Sequence, residues 1–150
     1  MGKQLEKIRH SASHILAAAV KKLYPTAKIG MGPATEEGFY YDFDNLSITE
    51  SDLKKIEDEM QDLISKNLKF IKKYIKKEEA KKLLKNEKYK LELLKNLKEK
   101  PSFYISGDFT DLCKGPHVKS TKEIAAFKLL KIAGAYWKGD SKNKMLTRIY

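Results

Sequence analysis

All three histidines of the chain and its single cysteine fall into two brackets of equal spacing. They are His10-Ser-Ala-Ser-His14 and Cys113-Lys-Gly-Pro-His117. Imidazole and thiol are the side chains best suited to proton transfer near neutral pH and to binding transition metals. Two imidazoles four residues apart on a helix share one face, as in the first half of many zinc sites. Cys113 and His117 would complete a tetrahedral set of four ligands. The same spacing also arises by chance, and a lone cysteine is commonly a small buried hydrophobe. Because the two brackets together exhaust these residue types, they point to one shared site, metallated or not.

The elements that must position this site can be read from periodicity. Residues 3–23 form one amphipathic helix, with Leu5, Ile8, Ile15, Ala18 and Ala19 near helical spacing and Pro25 as its stop. Between Ala27 and Asp44, glycines and Pro33 punctuate short segments, and Phe39-Tyr40-Tyr41-Asp42-Phe43 has strand composition, so a hairpin is expected. Gly30-Met-Gly-Pro33 lacks the Walker pattern and its lysine, which excludes a phosphate loop. Thr49-Glu-Ser-Asp52 opens a second helix, whose apolar stripe runs through Leu53, Ile56, Met60, Leu63 and Ile64 to about Lys66.

Leu68–Lys76 alternates apolar residues with lysine and fits a strand or a short helix. Lys77–Lys85 and Lys88–Leu97 read as two short helices. Phe103–Ser106 and Phe109 suggest a strand leading to Asp111-Leu-Cys113, after which Gly115-Pro116 turns the chain before His117. Ser120–Glu123 caps a turn of helix. Ala126–Trp137 and Met145–Tyr150 flank a hairpin loop at Gly139–Asn143. The fold class is α+β: an antiparallel sheet with packed helices, forming one domain, or two subdomains with a helical middle over about 49–100.

Composition bounds the function. With 41% hydrophobic and 34% charged residues in 150, the chain can bury a core and is not disordered. Apolar runs such as Ile15–Val20 are too short to cross a bilayer, and the first residues lack the apolar stretch of a secretory signal. One cysteine cannot form an intramolecular disulfide, which fits a cytoplasmic location and no membrane partner. The net charge of +11 fits a nucleic-acid partner. Yet among the 31 basic residues only Arg9 and Arg148 are arginine, a chain-wide lysine bias. From Lys54 to Lys100, 16 lysines face 9 acidic residues in solvated helical sequence.

Several longer stretches carry a family resemblance. They are His10-Ser-Ala-Ser-His14, Ile29-Gly-Met-Gly-Pro-Ala34, Gly38-Phe-Tyr-Tyr-Asp42, Tyr89-Lys90, Asp111-Leu-Cys-Lys-Gly-Pro-His117 and Ala133-Gly-Ala-Tyr-Trp-Lys-Gly-Asp-Ser-Lys-Asn-Lys-Met145. The chain resembles the editing domain of threonyl-tRNA synthetase, the second N-terminal domain of the bacterial type. The likeness covers nearly the whole chain, and its last stretch is the most specific. More distant likenesses are the editing domains of alanyl-tRNA synthetase and freestanding alanyl-tRNA deacylases, which share both brackets.

The resemblance implies a class II threonine–tRNA ligase domain that acts as an aminoacyl-tRNA deacylase, hydrolysing seryl-tRNA(Thr) at its 3′-terminal adenosine. It implies catalytic roles for His10, Lys90, Asp111, Cys113 and His117, and substrate-binding roles for His14, Tyr41 and Asp111. Asp111 would take the substrate's α-ammonium, and Lys90 would orient water, stabilise the oxyanion or act as base. Outside the resemblance, Lys90 is one lysine among many and Tyr41 reads as core.

Metal divides the family: alanyl-type relatives hold zinc in the equivalent constellation, whereas threonyl-type domains are described as working without it. No required cofactor is expected here; if zinc binds, its ligands would be His10, His14, Cys113 and His117. Imidazole chemistry predicts activity that falls below about pH 6.

The implied partners are the acceptor end of tRNA(Thr) and the remainder of a synthetase, with the isolated domain a monomer. The small domain that precedes the first bracket in the family, the aminoacylation core and the class II motifs are missing from this sequence. An excised domain is expected. The alternatives are a zinc-dependent alanyl-type trans-editing deacylase and a zinc-stabilised RNA-binding module without catalysis.

Overall fold

The computed structural model describes residues 1–150. Helix α1 (Lys3–Leu23) is the axis of the molecule: every residue from Ser11 to Val20 is buried. A helix buried on all sides needs small residues where neighbours approach closely, and Ala12, Ala17, Ala18 and Ala19 supply them. It ends where Tyr24 N–H closes on the Val20 carbonyl, just before Pro25. Helix α2 (Asp52–Ser65) lays Leu53, Ile56 and Met60 against α1. The largest apolar cluster joins these two helices to Ile29, Tyr41, Phe43, Val118 and Ile149.

Two antiparallel sheets flank this core, where the sequence led us to expect one. The larger has the order β1-β2-β7-β6, built from β1 (Lys28–Ile29), β2 (Tyr41–Asp44), β6 (Ile132–Tyr136) and β7 (Met145–Ile149). The smaller has the order β3-β4-β5, from β3 (Ile71–Tyr74), β4 (Ser102–Ser106) and β5 (Phe109–Leu112). The ambiguous stretch at 68–76 is therefore a strand.

The segment from Phe103 to Cys113 is a tight hairpin rather than one run, turning at Gly107, whose φ of +58° suits a residue without a Cβ. Helices α3 (Lys77–Leu83) and α4 (Lys88–Asn96) connect β3 to β4. They bury Ala80, Leu84 and Leu94 against Phe103 and Leu112. A 3-10 turn at Thr121–Glu123 and another at Trp137–Gly139 complete the chain. No helix is long and apolar enough to cross a membrane.

Candidate active site

Helix α1 presents His10 and His14 one turn apart, and the loop after β5 brings Cys113 and His117 to them. Cys113 Sγ lies 3.4 Å from His10 Nε2 and 3.4 Å from His117 Nε2. The His10 and His117 ring centroids are 4.4 Å apart. Gly115 permits this loop: its φ is +80°, and a Cβ there would strike the Tyr104 ring, which packs edge-on against His117.

Hydrogen bonding assigns the protons of this cluster. Ser11 Oγ accepts the Val118 N–H at 2.9 Å, so its own hydroxyl proton is free for His117 Nδ1, 3.1 Å away. His117 then carries its proton on Nε2 and donates it toward the Cys113 sulfur. The thiol proton in turn faces His10 Nε2, and His10 is left with its proton on Nδ1. Ser11 sits inside the first bracket, yet nothing in the spacing of the histidines marked it.

Burial sets the charge of each group. It pushes the Cys113 thiol up to about 11, with the nearby Asp111 carboxylate adding to the effect, so the sulfur stays protonated at neutral pH. It lowers His10, takes His14 down to about 4 and takes His117 to about 2. All three imidazoles are neutral at pH 7. His14 is the most enclosed: its ring meets Phe70, Phe109 and His117 at 5.3, 4.9 and 5.2 Å. Neither of its ring nitrogens has a hydrogen-bond partner.

A second group lies across the same cleft. Lys90, the one buried lysine of the chain, holds Asp111 Oδ1 at 3.0 Å. The Tyr41 hydroxyl donates to Asp111 Oδ2 at 2.7 Å, and burial with the adjacent carboxylate raises its pKa well above the usual value. Asp111 Oδ2 is thus hydrogen-bonded inside the protein, whereas the buried Oδ1 is ion-paired with Lys90 but has no hydrogen-bond partner. Gly32 makes room for the Tyr41 ring, which any Cβ at that position would strike.

Lys90 is aimed by its neighbours in sequence. Glu87 accepts the Ile29 N–H at 2.9 Å and pairs with Lys21 at 2.9 Å. Tyr89 donates to Asp44 at 2.6 Å and packs edge-on against Trp137. Trp137 in turn donates to Glu92 at 2.8 Å. The long Ala133–Met145 stretch therefore contributes a brace for α4 and no reacting group, while Glu87 and Tyr89 fix a lysine that sequence alone left ordinary.

His10, His14, Tyr41, Lys90, Asp111, Cys113 and His117 all line one cleft of about 680 Å³. Three of them, His10, Cys113 and His117, place donor atoms within 4.8 Å of one another, as a metal ion would require. The donor set of two imidazoles and one thiol suits zinc with an open fourth position. His14 stands outside this set, wedged between aromatic rings, so the four-ligand arrangement expected from spacing is reduced to three.

The family model described as the threonyl and alanyl tRNA synthetase second additional domain matches residues 102–150. The threonine–tRNA ligase of Dehalococcoides mccartyi is 53% identical over 148 residues, covering 97% of this chain and 25% of that protein. Its counterparts in Clostridium novyi and Staphylococcus aureus are 55% and 50% identical, each over 97% of this chain and covering 24% and 23% of those proteins. The chain thus spans about a quarter of the length of the curated relatives it matches. The likeness is thus of two extents: residues 102–150 match the threonyl and alanyl tRNA synthetase second additional domain, and nearly the whole chain, with its α+β fold and its paired brackets on one cleft, is similar to part of threonine–tRNA ligases.

Proposed function

We propose that this chain hydrolyses the ester of seryl-tRNA(Thr), as the editing part of a larger cytoplasmic synthetase. The observation that carries the reading is the meeting of the His10–Cys113–His117 cluster with the buried Lys90–Asp111–Tyr41 group on one cleft. Serine differs from threonine by one methyl group, worth only about 1–3 kcal/mol of discrimination in an activating pocket. A second pocket that admits the smaller side chain and refuses the larger corrects the error.

The chemistry follows from the protonation states. His10 Nε2 is the imidazole lone pair opposed only by a weak S–H donor, and an incoming water displaces that contact. His10 takes the proton as the water oxygen attacks the ester carbonyl carbon. Lys90 donates a hydrogen bond to the carbonyl oxygen as it gains charge, and Asp111, held by Tyr41, keeps the ammonium in place. The tetrahedral intermediate collapses, the bond to the ribose oxygen breaks, and His10 returns the proton to that leaving oxygen. His14 and Tyr41 wall the amino-acid end. Asp111 Oδ1, buried without a hydrogen-bond partner beside Lys90, is the oxygen that would take the substrate's α-ammonium.

Serine release from precharged tRNA(Thr), compared with threonine release from the same tRNA, tests the reading. Serine is expected to leave at least tenfold faster; equal rates would sink methyl exclusion.

The three-donor cluster favours one second reading, a zinc-dependent deacylase of the alanyl type. A zinc ion held by His10, Cys113 and His117 would supply a water of lowered pKa. We propose that hydrolysis does not need it, because His10 Nε2, opposed only by the Cys113 thiol, is placed to take a proton from water itself. Chelation is expected to leave the rate within twofold, and Cys113→Ala to leave the melting temperature within a few degrees. Stoichiometric zinc lost together with activity, or unfolding of that variant, would favour the metal-dependent readings.

A further inference from the structure

The mouth of the cleft carries residues that the chemistry above does not use. Strand β3 is one of the two outer strands of the smaller sheet. All four of its residues are exposed, although they include Ile71 and Tyr74. Alternation along a strand sends Lys72 and Tyr74 to the same face, and both line the mouth of the cleft. Tyr74 is 60% exposed, more than any other aromatic residue of the chain.

The Lys72 ammonium sits 5.2 Å from the Tyr74 ring centroid and 5.9 Å from that of Tyr104. Tyr104, the register partner of Lys72 on β4, stands 4.3 Å from the His117 ring. An aromatic and cationic track therefore runs from the rim to the reacting cluster. Lys100 and Lys114 border the same mouth, and its one acidic side chain, Glu99, is paired with Lys114 at 3.2 Å.

From this arrangement we infer that Tyr74 and Lys72 form a platform for single-stranded RNA leading into the cleft, Tyr74 stacking on a base and Lys72 meeting the adjoining phosphate. The inference rests on the proposed esterase reading for the identity of the strand, and adds where the nucleotides outside the pocket lie. An exposed ring on an edge strand offers a π-face to any base, and a lysine on the same face can meet the backbone. The excess of positive charge at the rim favours a polyanion over an acidic-neutral peptide. A duplex cannot use the ring, because its bases are stacked on one another.

The test uses a 5′-fluorescein-labelled single-stranded RNA of eight nucleotides ending in adenosine, followed by anisotropy. Tyr74→Ala is expected to weaken binding about tenfold, within the range of one lost stacking contact, and Tyr74→Phe to retain it. Lys72→Ala is expected to lower the slope of log affinity against log salt by about 0.7, the value for one single-strand phosphate. Binding by Tyr74→Ala within twofold of the parent would overturn the platform, as would equal affinity for the same sequence in a duplex. The esterase reading stands or falls separately on serine release. Tyr74-dependent binding without hydrolysis would keep the platform and reject the esterase, and hydrolysis with Tyr74-independent binding would do the reverse.

Discussion

Lys90→Met is expected to slow ester hydrolysis by at least a hundredfold and to destabilise the fold by about 3–5 kcal/mol. The first effect follows on the proposed reading, in which Lys90 is the donor to the developing oxyanion. The second follows because Asp111, 3% exposed, would be left as a buried carboxylate without its cation. Replacing the whole group separates the two effects. Tyr41→Phe, Lys90→Met and Asp111→Leu in one chain remove the charge pair together with the phenol that bonds to it. Apolar replacement of an entire buried pair is commonly neutral or stabilising. The triple variant is expected to regain the parent's stability in urea while remaining inactive. A Lys90→Met protein that hydrolysed seryl-tRNA(Thr) at the parental rate would remove this residue from the chemistry.

His14→Leu is expected to flatten the loss of stability in mild acid. Burial holds the folded His14 pKa near 4, against about 6.5 for a free imidazole. Between those values the unfolded chain binds the proton and the folded one does not, so stability falls as the pH drops through this window. The stabilisation is fully present above pH 6.5, and the shift corresponds to about 3 kcal/mol lost by pH 4.

Urea unfolding of parent and variant at pH 7, 5.5 and 4.5 checks this, since the carboxylates common to both cancel in the difference. At pH 7 the variant is expected to be at least as stable as the parent, because the two unpartnered ring nitrogens no longer have to be buried. Parallel pH curves for the two proteins would show that His14 does not titrate as its surroundings dictate. Burial also holds His10 below its ordinary pKa, so the loss of activity in acid is expected to set in at a lower pH than for a free imidazole.

Much of this architecture was legible because local and global signals agree. Helix α1 runs from Lys3 to Leu23, as the apolar spacing and Pro25 predict. The break near Asn86 between α3 and α4 was equally visible. The hairpin at Gly107 was missed because Phe103–Phe109 reads as a single β-rich run, although Gly-Asp is itself a turn signal. The division into two sheets was illegible, since pairing partners such as Tyr41 and Ile149 lie far apart in the chain and strand composition does not name them.

At the site, the brackets identified His10, Cys113 and His117 through the scarcity of their residue types. Lys90 came from family likeness alone, because nothing local distinguishes a buried lysine from a solvated one. Ser11 gave no signal at all, since serine in a helix serves many ends. Its role exists only once the backbone N–H of Val118 arrives to take one of its lone pairs.

Ser11 and His117 meet across a separation of 106 residues. A ribosome making this chain releases α1 early, with both of its histidines already in helical register. The cluster they belong to does not yet exist at that moment. Only when the loop carrying Cys113, His117 and Val118 has cleared the exit tunnel can the contacts among Ser11, His117 and Val118 close. On the proposed esterase reading, competence to hydrolyse would therefore arrive late in synthesis, once the residues through Val118 have emerged.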